Sequence, residues 1–348
     1  MESDTTLMRS PVNLAVAGRE ANRLAGAHYF QDYAQRVAVR TRQLHRSDLS
    51  IFVSYLHSLN VVVADVDALL NQAESWEGVT HGIVEGFRQY LVNMGYAITS
   101  INRRLSTVKR YAALAALAGV ISEQDSHLIA LIRGYGVRQG RNVDATRPAT
   151  RKSTMKTTPT PLSPDQVALL IEEQPKTFQG WRDRFMLCLF AEHGLRVGEV
   201  LALRMEHCNV EEKTFTFYRE KVAKTQRHRM TESTYHAYTM FQRKGGPLTG
   251  SPWMRTNQFG EPIGGMMSMR AMQDRIRVLG RRIGIETLSP HDLRHYWSTS
   301  AIEAGTDIKS LQDAGGWASP AMPLRYAQSR EIANDGVKLI KPVVRGKK

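Results

Sequence analysis

The chain has 348 residues, 42% of them hydrophobic, and carries 47 Lys and Arg against 33 Asp and Glu for a formal net charge of +14. That length exceeds the roughly 250 to 300 residues at which a single core tends to split, so two domains are expected, and the basic excess calls for a polyanionic partner, nucleic acid before membrane. The chain lacks an apolar run of the roughly 18 residues a membrane helix needs, the N-terminus Met1-Glu2-Ser3-Asp4-Thr5 has no basic and apolar leader, and two cysteines make neither a disulfide framework nor a zinc site, which leaves a soluble, cytoplasmic protein without metal as the expectation.

The first half reads as helical. Ser47-Asp48 precedes Ile51, Phe52, Tyr55, Leu56 and Leu59, an apolar stripe at the helical period. Ile83, Val84, Phe87 and Leu91 make a second stripe that stops at Gly95. A third begins near Thr99-Ser100 and sets Ile101, Leu105, Val108 and Ala112 on one face against Arg103, Thr107 and Arg110 on another. A solvated helix surface accounts for that basic face as well as DNA binding does. Arg36, Arg40, Arg42 and Arg46, gathered upstream with little acid among them, tilt the reading towards several basic helices lying on phosphates.

From about Arg138 to Pro161 the composition changes to Arg138, Arg141, Arg147, Arg151, Lys152 and Lys156 among Gly, Thr, Ser and Pro. This is a linker pattern, and it divides the chain into a helical domain over 1–140, a basic linker over 141–160 and a second domain over 161–348. Ser163-Pro164-Asp165-Gln166 restarts a helix over 164–174, with an N-cap serine, a proline at the first helical position and a capping-box glutamine. An apolar helix containing Cys188 then ends around His193-Gly194, and a short helix runs from Arg196 to Leu203. Thr214-Phe215-Thr216-Phe217-Tyr218 alternates like a strand, and Gln226 to Met230 returns antiparallel after a turn containing Lys221 and Lys224. Helices follow near 266–282, 290–304, 306–314 and 320–328, so the class is mainly α with a small antiparallel β-sheet.

The chemistry gathers in this second half. A phosphodiester under attack becomes five-coordinate, with extra charge on its non-bridging oxygens, and the guanidinium fork suits them because it donates two parallel bonds and stays charged. Arg196 and Arg294 are the candidates. His291 and Arg294 lie three apart on one face of a helix started by Ser289-Pro290, whose N-terminus itself favours an anion. Arg196 and Glu199 share the same spacing, which an ordinary helical salt bridge explains equally well. Tyr326 follows Ser319-Pro320 on a short helix. A phenol of pKa near ~10 needs a neighbouring base and a positive field to attack as phenolate.

The set Arg196 with Glu199, a strand-turn lysine, His291-x-x-Arg294, Gly315-Gly316-Trp317 and Tyr326 resembles the tyrosine recombinase, or phage integrase, family, and Gln312 to Trp317 looks most like its Cre-like branch, with tryptophan where many members have a second histidine. The segments Arg40 to Phe52 and Thr99 to Tyr111 also look like that family's N-terminal core-binding helices, with Arg40, Arg103, Thr107 and Arg110 as the implied DNA contacts. The resemblance implies a two-domain clamp around double-stranded DNA, a helical core-binding domain joined to an α+β catalytic domain. Tyr326 is then the nucleophile that forms a 3′-phosphotyrosine and frees a 5′-hydroxyl, Arg196 and Arg294 hold the phosphate, His291 assists proton transfer and Trp317 donates from its indole nitrogen. The lysine that protonates the leaving oxygen is Lys224 by preference, with Lys221 as the alternative. No cofactor is implied, because the covalent link conserves the bond energy. Paired inverted half-sites, a Holliday junction and a homotetramer joined through the C-terminal tail, where Ile332, Val337, Leu339 and Ile340 mark a helix, complete the expectation. Two other readings are a type IB topoisomerase-like enzyme acting alone and a DNA-binding accessory protein without catalysis.

Overall fold

The stripe through Phe52, Tyr55 and Leu56 does form a helix, but one that runs from Val39 to Ser58. In the computed structural model, which describes residues 14–61, 65–136, 139, 140, 143 and 159–327, Ser47-Asp48 is therefore mid-helix and caps nothing. Asp48 is fully buried, and its carboxylate serves Arg103 and Thr107 instead of a helix terminus. The chain divides into two compact units, residues 1–155 and 156–348. The linker lysines and arginines named above and the tail beyond Ala327 lie outside the described residues.

The first unit contains α1 (Leu14–Arg36), α2 (Val39–Ser58), α3 (Val66–Asn71), α4 (His81–Asn93), α5 (Ile98–Leu117) and α6 (Glu123–Leu131). The apolar stripes of α4 and α5 turn inward as their period requires: Val84, Phe87, Leu91, Ile101, Val108 and Ala112 are all fully buried. Helix α4 ends two residues before Gly95, whose φ of 70° is the left-handed conformation that glycine adopts without strain. The centre is aromatic. Phe52 stacks on Trp76 at 5.8 Å between centroids and meets Phe87 edge-on at 5.0 Å, while the Trp76 indole N–H donates to the Leu69 carbonyl at 2.9 Å.

The second unit opens with α7 (Pro164–Glu172), where the expected capping box forms: Gln166 N–H donates to Ser163 Oγ at 3.2 Å and Ser163 N–H to Gln166 Oε1 at 2.9 Å. Helix α8 (Phe178–Ala191) is the hydrophobic axis of the unit, with Phe185, Met186, Leu187, Cys188, Leu189 and Phe190 all at 0% exposure. An element buried on every side shows no amphipathic period, so burial here follows from uniform apolarity. After it come α9 (Val197–Ala202), β1 (Cys208–Asn209), β2 (Thr214–Arg219), β3 (Lys224–Arg229) and α10 (Glu232–Arg243), then β4 (Met254–Thr256), β5 (Pro262–Met266), α11 (Met269–Arg282), α12 (Pro290–Glu303), α13 (Ile308–Gly315) and α14 (Ala321–Ala327).

Two antiparallel sheets form among the described residues, against the one expected: β1-β2-β3 and a separate β4-β5 pair. Residues 262–266 belong to the latter, which delays the start of α11 to Met269. Its Gly264-Gly265 centre, both at positive φ, carries no alternation that marks a strand. Between β2 and β3 the register pairs Arg219 with Lys224, so Lys224 is a strand residue, and the turn proper is a 3-10 segment, Glu220–Val222, closed by Ala223 at φ 46°. The left-handed position that glycine usually fills falls on that alanine. Helices α10 and α12 pack on α8, and α13 and α14 pack on α12, which sets the last two helices beside the helix that carries His291 and Arg294.

Candidate active site

Local sequence places the main site residues at the ends of elements. Gly194, at φ 60°, ends the run out of α8 and turns the chain into α9, and a Cβ there would strike the Trp297 ring. Arg196 is the N-cap residue of α9, and Glu199 one turn on accepts from the Arg196 backbone N–H at 2.7 Å and from its Nη1 at 2.8 Å. Helix α12 begins at a second capping box, with Ser289 N–H donating to Asp292 Oδ2 at 2.8 Å and Asp292 N–H returning to Ser289 Oγ. The other Asp292 oxygen accepts from the Thr160 N–H at 2.8 Å, so the chain entering the unit is tied to the helix that carries His291 and Arg294.

These ends meet. Arg196, Lys221, His291, Arg294, Trp317 and Tyr326 line one cleft of about 470 Å³. Arg294, 4% exposed, donates from Nη1 to the Gly194 carbonyl and from Nη2 to the Gly315 carbonyl at 2.7 Å, with its guanidinium 4.5 Å from the Trp317 ring centre. Arg196 Nη2 donates to the Gly316 carbonyl at 3.1 Å. Two arginines thus hold the C-terminal carbonyls of α13, the negative end of that helix. Burial pulls the Arg294 pKa down to about 9, with the charge of Arg196 adding and Glu199 opposing, which still leaves a full positive charge at neutral pH. The site is a preorganised cationic pocket that the enclosed carboxylate of Glu199 offsets only in part.

Tyr326 is 5% exposed and held by rings. His295 meets it edge-on at 4.9 Å between centroids, and Trp317 lies 5.8 Å away, itself stacked on Trp297. Burial lowers the His295 pKa, with His291 adding and Asp292 opposing, which favours the neutral form of the ring packed on Tyr326. Of the two lysines weighed from sequence, Lys221 lines the cleft, whereas Lys224 heads β3 and is not among the lining residues. Two residues of this neighbourhood carry no sequence signal of their own. They are Arg219, which is fully buried against Glu199, and Gln226, which accepts from the Arg219 Nε.

In the first unit, Arg103, Thr107 and Arg110 line a concavity of about 380 Å³ with Tyr33, His45 and Asp48. Arg103 is occupied by Asp48 at 2.8 Å, and Thr107 is buried, its hydroxyl donating to the other Asp48 oxygen at 3.0 Å. Burial raises the Asp48 pKa, and Arg103 and Thr107 oppose it. Thr107 is thus turned to the helix interface and away from the exposed basic face, which keeps Arg110 and, on α2, Arg40. Among the described residues no group of three or more His, Cys, Asp or Glu side chains is placed to hold a metal ion, and no helix is long and apolar enough to cross a membrane.

A model of the phage integrase family matches residues 161–332, which includes every residue of this cleft. The tyrosine recombinase XerC of Xanthomonas campestris pv. campestris is 28% identical over 263 residues, covering 74% of this chain and 74% of that protein. The tyrosine recombinase XerC of Syntrophus aciditrophicus is 24% identical over 312 residues, 85% of this chain and 89% of its own. In fold, the chain is similar to the Tn1549 transposon integrase in complex with transposon right-end DNA, with a TM-score of 0.58 at 16% identity, over 86% of this chain and 94% of that one. It is likewise similar to a lambda integrase tetramer bound to a Holliday junction, with a TM-score of 0.56 at 14% identity, over 95% and 85%.

Proposed function

The chain belongs to the phage integrase, or tyrosine recombinase, family, and from that premise we propose that it is a site-specific DNA recombinase with Tyr326 as its nucleophile. The observation that supports this reading is the convergence of Arg196, Lys221, His291, Arg294, Trp317 and Tyr326 on a single cleft from five separate stretches of sequence. The Tyr326 Oη–P bond forms as the P–O5′ bond breaks, giving a 3′-phosphotyrosine and a 5′-hydroxyl. His291 takes part in moving the phenolic proton, and Lys221 supplies the proton that the departing 5′-oxygen requires. Lys221 takes this role over Lys224 because its residue faces the cleft.

Arg196 and Arg294 hold the non-bridging oxygens. A guanidinium has five donors, and the two carbonyl bonds of Arg294 orient its plane while leaving capacity for phosphate. Such preorganised donors in a site that excludes water are worth about 10²–10³ in rate each. Trp317 packs beneath Arg294 and donates from its indole nitrogen as charge builds. The 5′-hydroxyl of a partner strand then attacks the phosphotyrosine to rejoin, so bond energy is conserved without a cofactor.

Two such exchanges between paired inverted half-sites pass through a Holliday junction within a homotetramer, with the C-terminal tail as the connection between protomers. The basic first unit, through Arg40, Arg103 and Arg110, supplies backbone affinity to DNA in the cytoplasm, with Thr107 supporting Arg103 through Asp48.

The test is covalent capture. Wild-type protein incubated with nicked duplexes from a randomised library, without metal, is expected to yield a denaturation-resistant protein–DNA adduct that Tyr326→Phe lacks. Sequencing of the captured DNA then supplies a synthetic site for strand exchange. Bound DNA with no adduct would leave only an accessory DNA-binding role, and cleavage with resealing but no exchange between sites would favour a topoisomerase-like enzyme.

A further inference from the structure

Arg219 is the last residue of β2 and has 0% exposure, yet it is a cation without an aqueous face. Burying a guanidinium is tolerated only when its donors are matched, and here they are. Nη1 donates to both Glu199 oxygens at 2.9 Å and to the Gly315 carbonyl at 3.1 Å. Nη2 donates to the Ala314 carbonyl at 2.6 Å, and Nε to Gln226 Oε1. Gln226, across the hairpin on β3, donates from Nε2 to the Asp313 carbonyl at 2.6 Å. Three consecutive carbonyls of the last turn of α13 are therefore capped by one hairpin.

Helix carbonyls at a terminus are ordinarily satisfied by water or by a local turn. A buried arginine reaching across 96 residues does more than that, because it shares an acceptor with each cleft arginine: Glu199 with Arg196, and the Gly315 carbonyl with Arg294. The same side chain stands two residues before Lys221. The neighbouring backbone is shaped around it. Gly316 is left-handed at φ 60°, and a Cβ there would run into the Arg219 side chain.

We propose that Arg219, seconded by Gln226, is a positioning residue that registers the Lys221 turn against the Arg196–Arg294–Trp317 frame, so that the proton donor and the phosphate-binding groups meet the same phosphodiester. The inference rests on the recombinase reading above. In the cleavage step the bond from phosphorus to O5′ breaks and that oxygen takes a proton from Lys221. A sulfur in the 5′-bridging position leaves as a thiolate and takes none, because a thiol is far more acidic than an alcohol. Loss of register must therefore slow an oxygen leaving group more than a sulfur one, whereas a merely loosened fold slows both alike.

The experiment measures single-turnover cleavage of two nicked duplexes carrying the site recovered from the wild-type adduct, one with the natural 5′-oxygen and one with a 5′-bridging sulfur. For Arg219→Met and Gln226→Leu the ratio of oxygen to sulfur rates is expected to fall by about 10²-fold relative to wild type, the usual cost of a misplaced proton donor. Circular dichroism and thermal melting establish that each variant is folded. If Arg219→Met does not fold, Gln226→Leu carries the same ratio, since its half-buried amide is the smaller loss. A ratio equal to wild type in Gln226→Leu and in any folded Arg219 variant overturns the inference, whether both rates fall together or neither falls. Absence of a Tyr326-dependent adduct from wild type on either duplex would instead overturn the recombinase reading, and this inference with it.

Discussion

The arginines of the two units are held in opposite ways. In the first unit several are exposed and paired with carboxylates, as in Arg46 with Asp67, Arg36 with Asp32 at 3.1 Å and Arg103 with the buried Asp48, or lie over rings, as Arg110 does 6.0 Å above Tyr33. In the second unit Arg219 and Arg294 are buried and both donate to backbone carbonyls at the end of α13, with Arg219 also bound to the buried Glu199. An exposed guanidinium is mobile and screened by salt, so it contributes affinity. A buried one is fixed before substrate arrives, so it contributes rate. Under the proposed function, the same residue type serves binding in one unit and reaction in the other according to its solvent exposure.

The largest effect expected is at the nucleophile. Tyr326→Phe should abolish the covalent adduct while leaving DNA affinity in gel-shift titration unchanged, and residual adduct would move the nucleophile elsewhere. Arg294→Ala is expected to lower the single-turnover cleavage rate by about 10²–10³-fold. Its affinity for DNA should change far less, and a loss of binding equal to the loss of rate would erase the contrast between the units.

A third effect separates the units by stability. Burial pushes His228 down to about 4 and His193 down to about 3, so each binds fewer protons folded than unfolded. Their contribution is present above the unfolded pKa of 6.5 and is lost as pH falls from there towards the folded values. Between neutral pH and pH ~5 the second unit should lose roughly 2 kcal/mol per buried histidine. Denaturant melts followed by hydrogen exchange in each unit would check this, and His228→Gln should flatten the acid limb. The smallest effect is at the surface. Arg110→Ala should weaken DNA binding modestly and reduce the slope of log K against log salt by about one, with the cleavage rate at saturating protein unaltered.

Much of the framework is legible locally. Ser163-Pro164 and Ser289-Pro290 announce helices that start where expected, because a cap is an exchange of hydrogen bonds within four residues. The alternation of Thr214 to Tyr218 marks β2, with Phe215 and Phe217 facing the core. Where such signals mislead, a distant partner has intervened. Ser47-Asp48 reads as a cap, yet Asp48 is buried in mid-helix because Thr107, 59 residues away, and Arg103 claim its carboxylate. Thr107 reads as part of a basic face for the same reason in reverse. Helix α10 is missing from the expected elements although Thr231 caps it and Thr234, Ala237, Tyr238 and Phe241 recur at the helical period on its buried face.

The sequence by itself determined the order and kind of the cleft's residues, since Arg196, Glu199, His291, Arg294, Trp317 and Tyr326 stand in a spacing that resembles one family. It also determined the mainly helical class, through periods and caps that act over one or two turns. Only the tertiary structure decided that Lys221 rather than Lys224 faces the cleft, because the choice depends on where β3 begins pairing. Only the tertiary structure revealed Arg219, whose acceptors other than Gln226 lie 20 and 95 to 96 residues away. A periodic pattern records which way a side chain points from its own element. It cannot record what another element, arriving from the far end of the chain, will present to it.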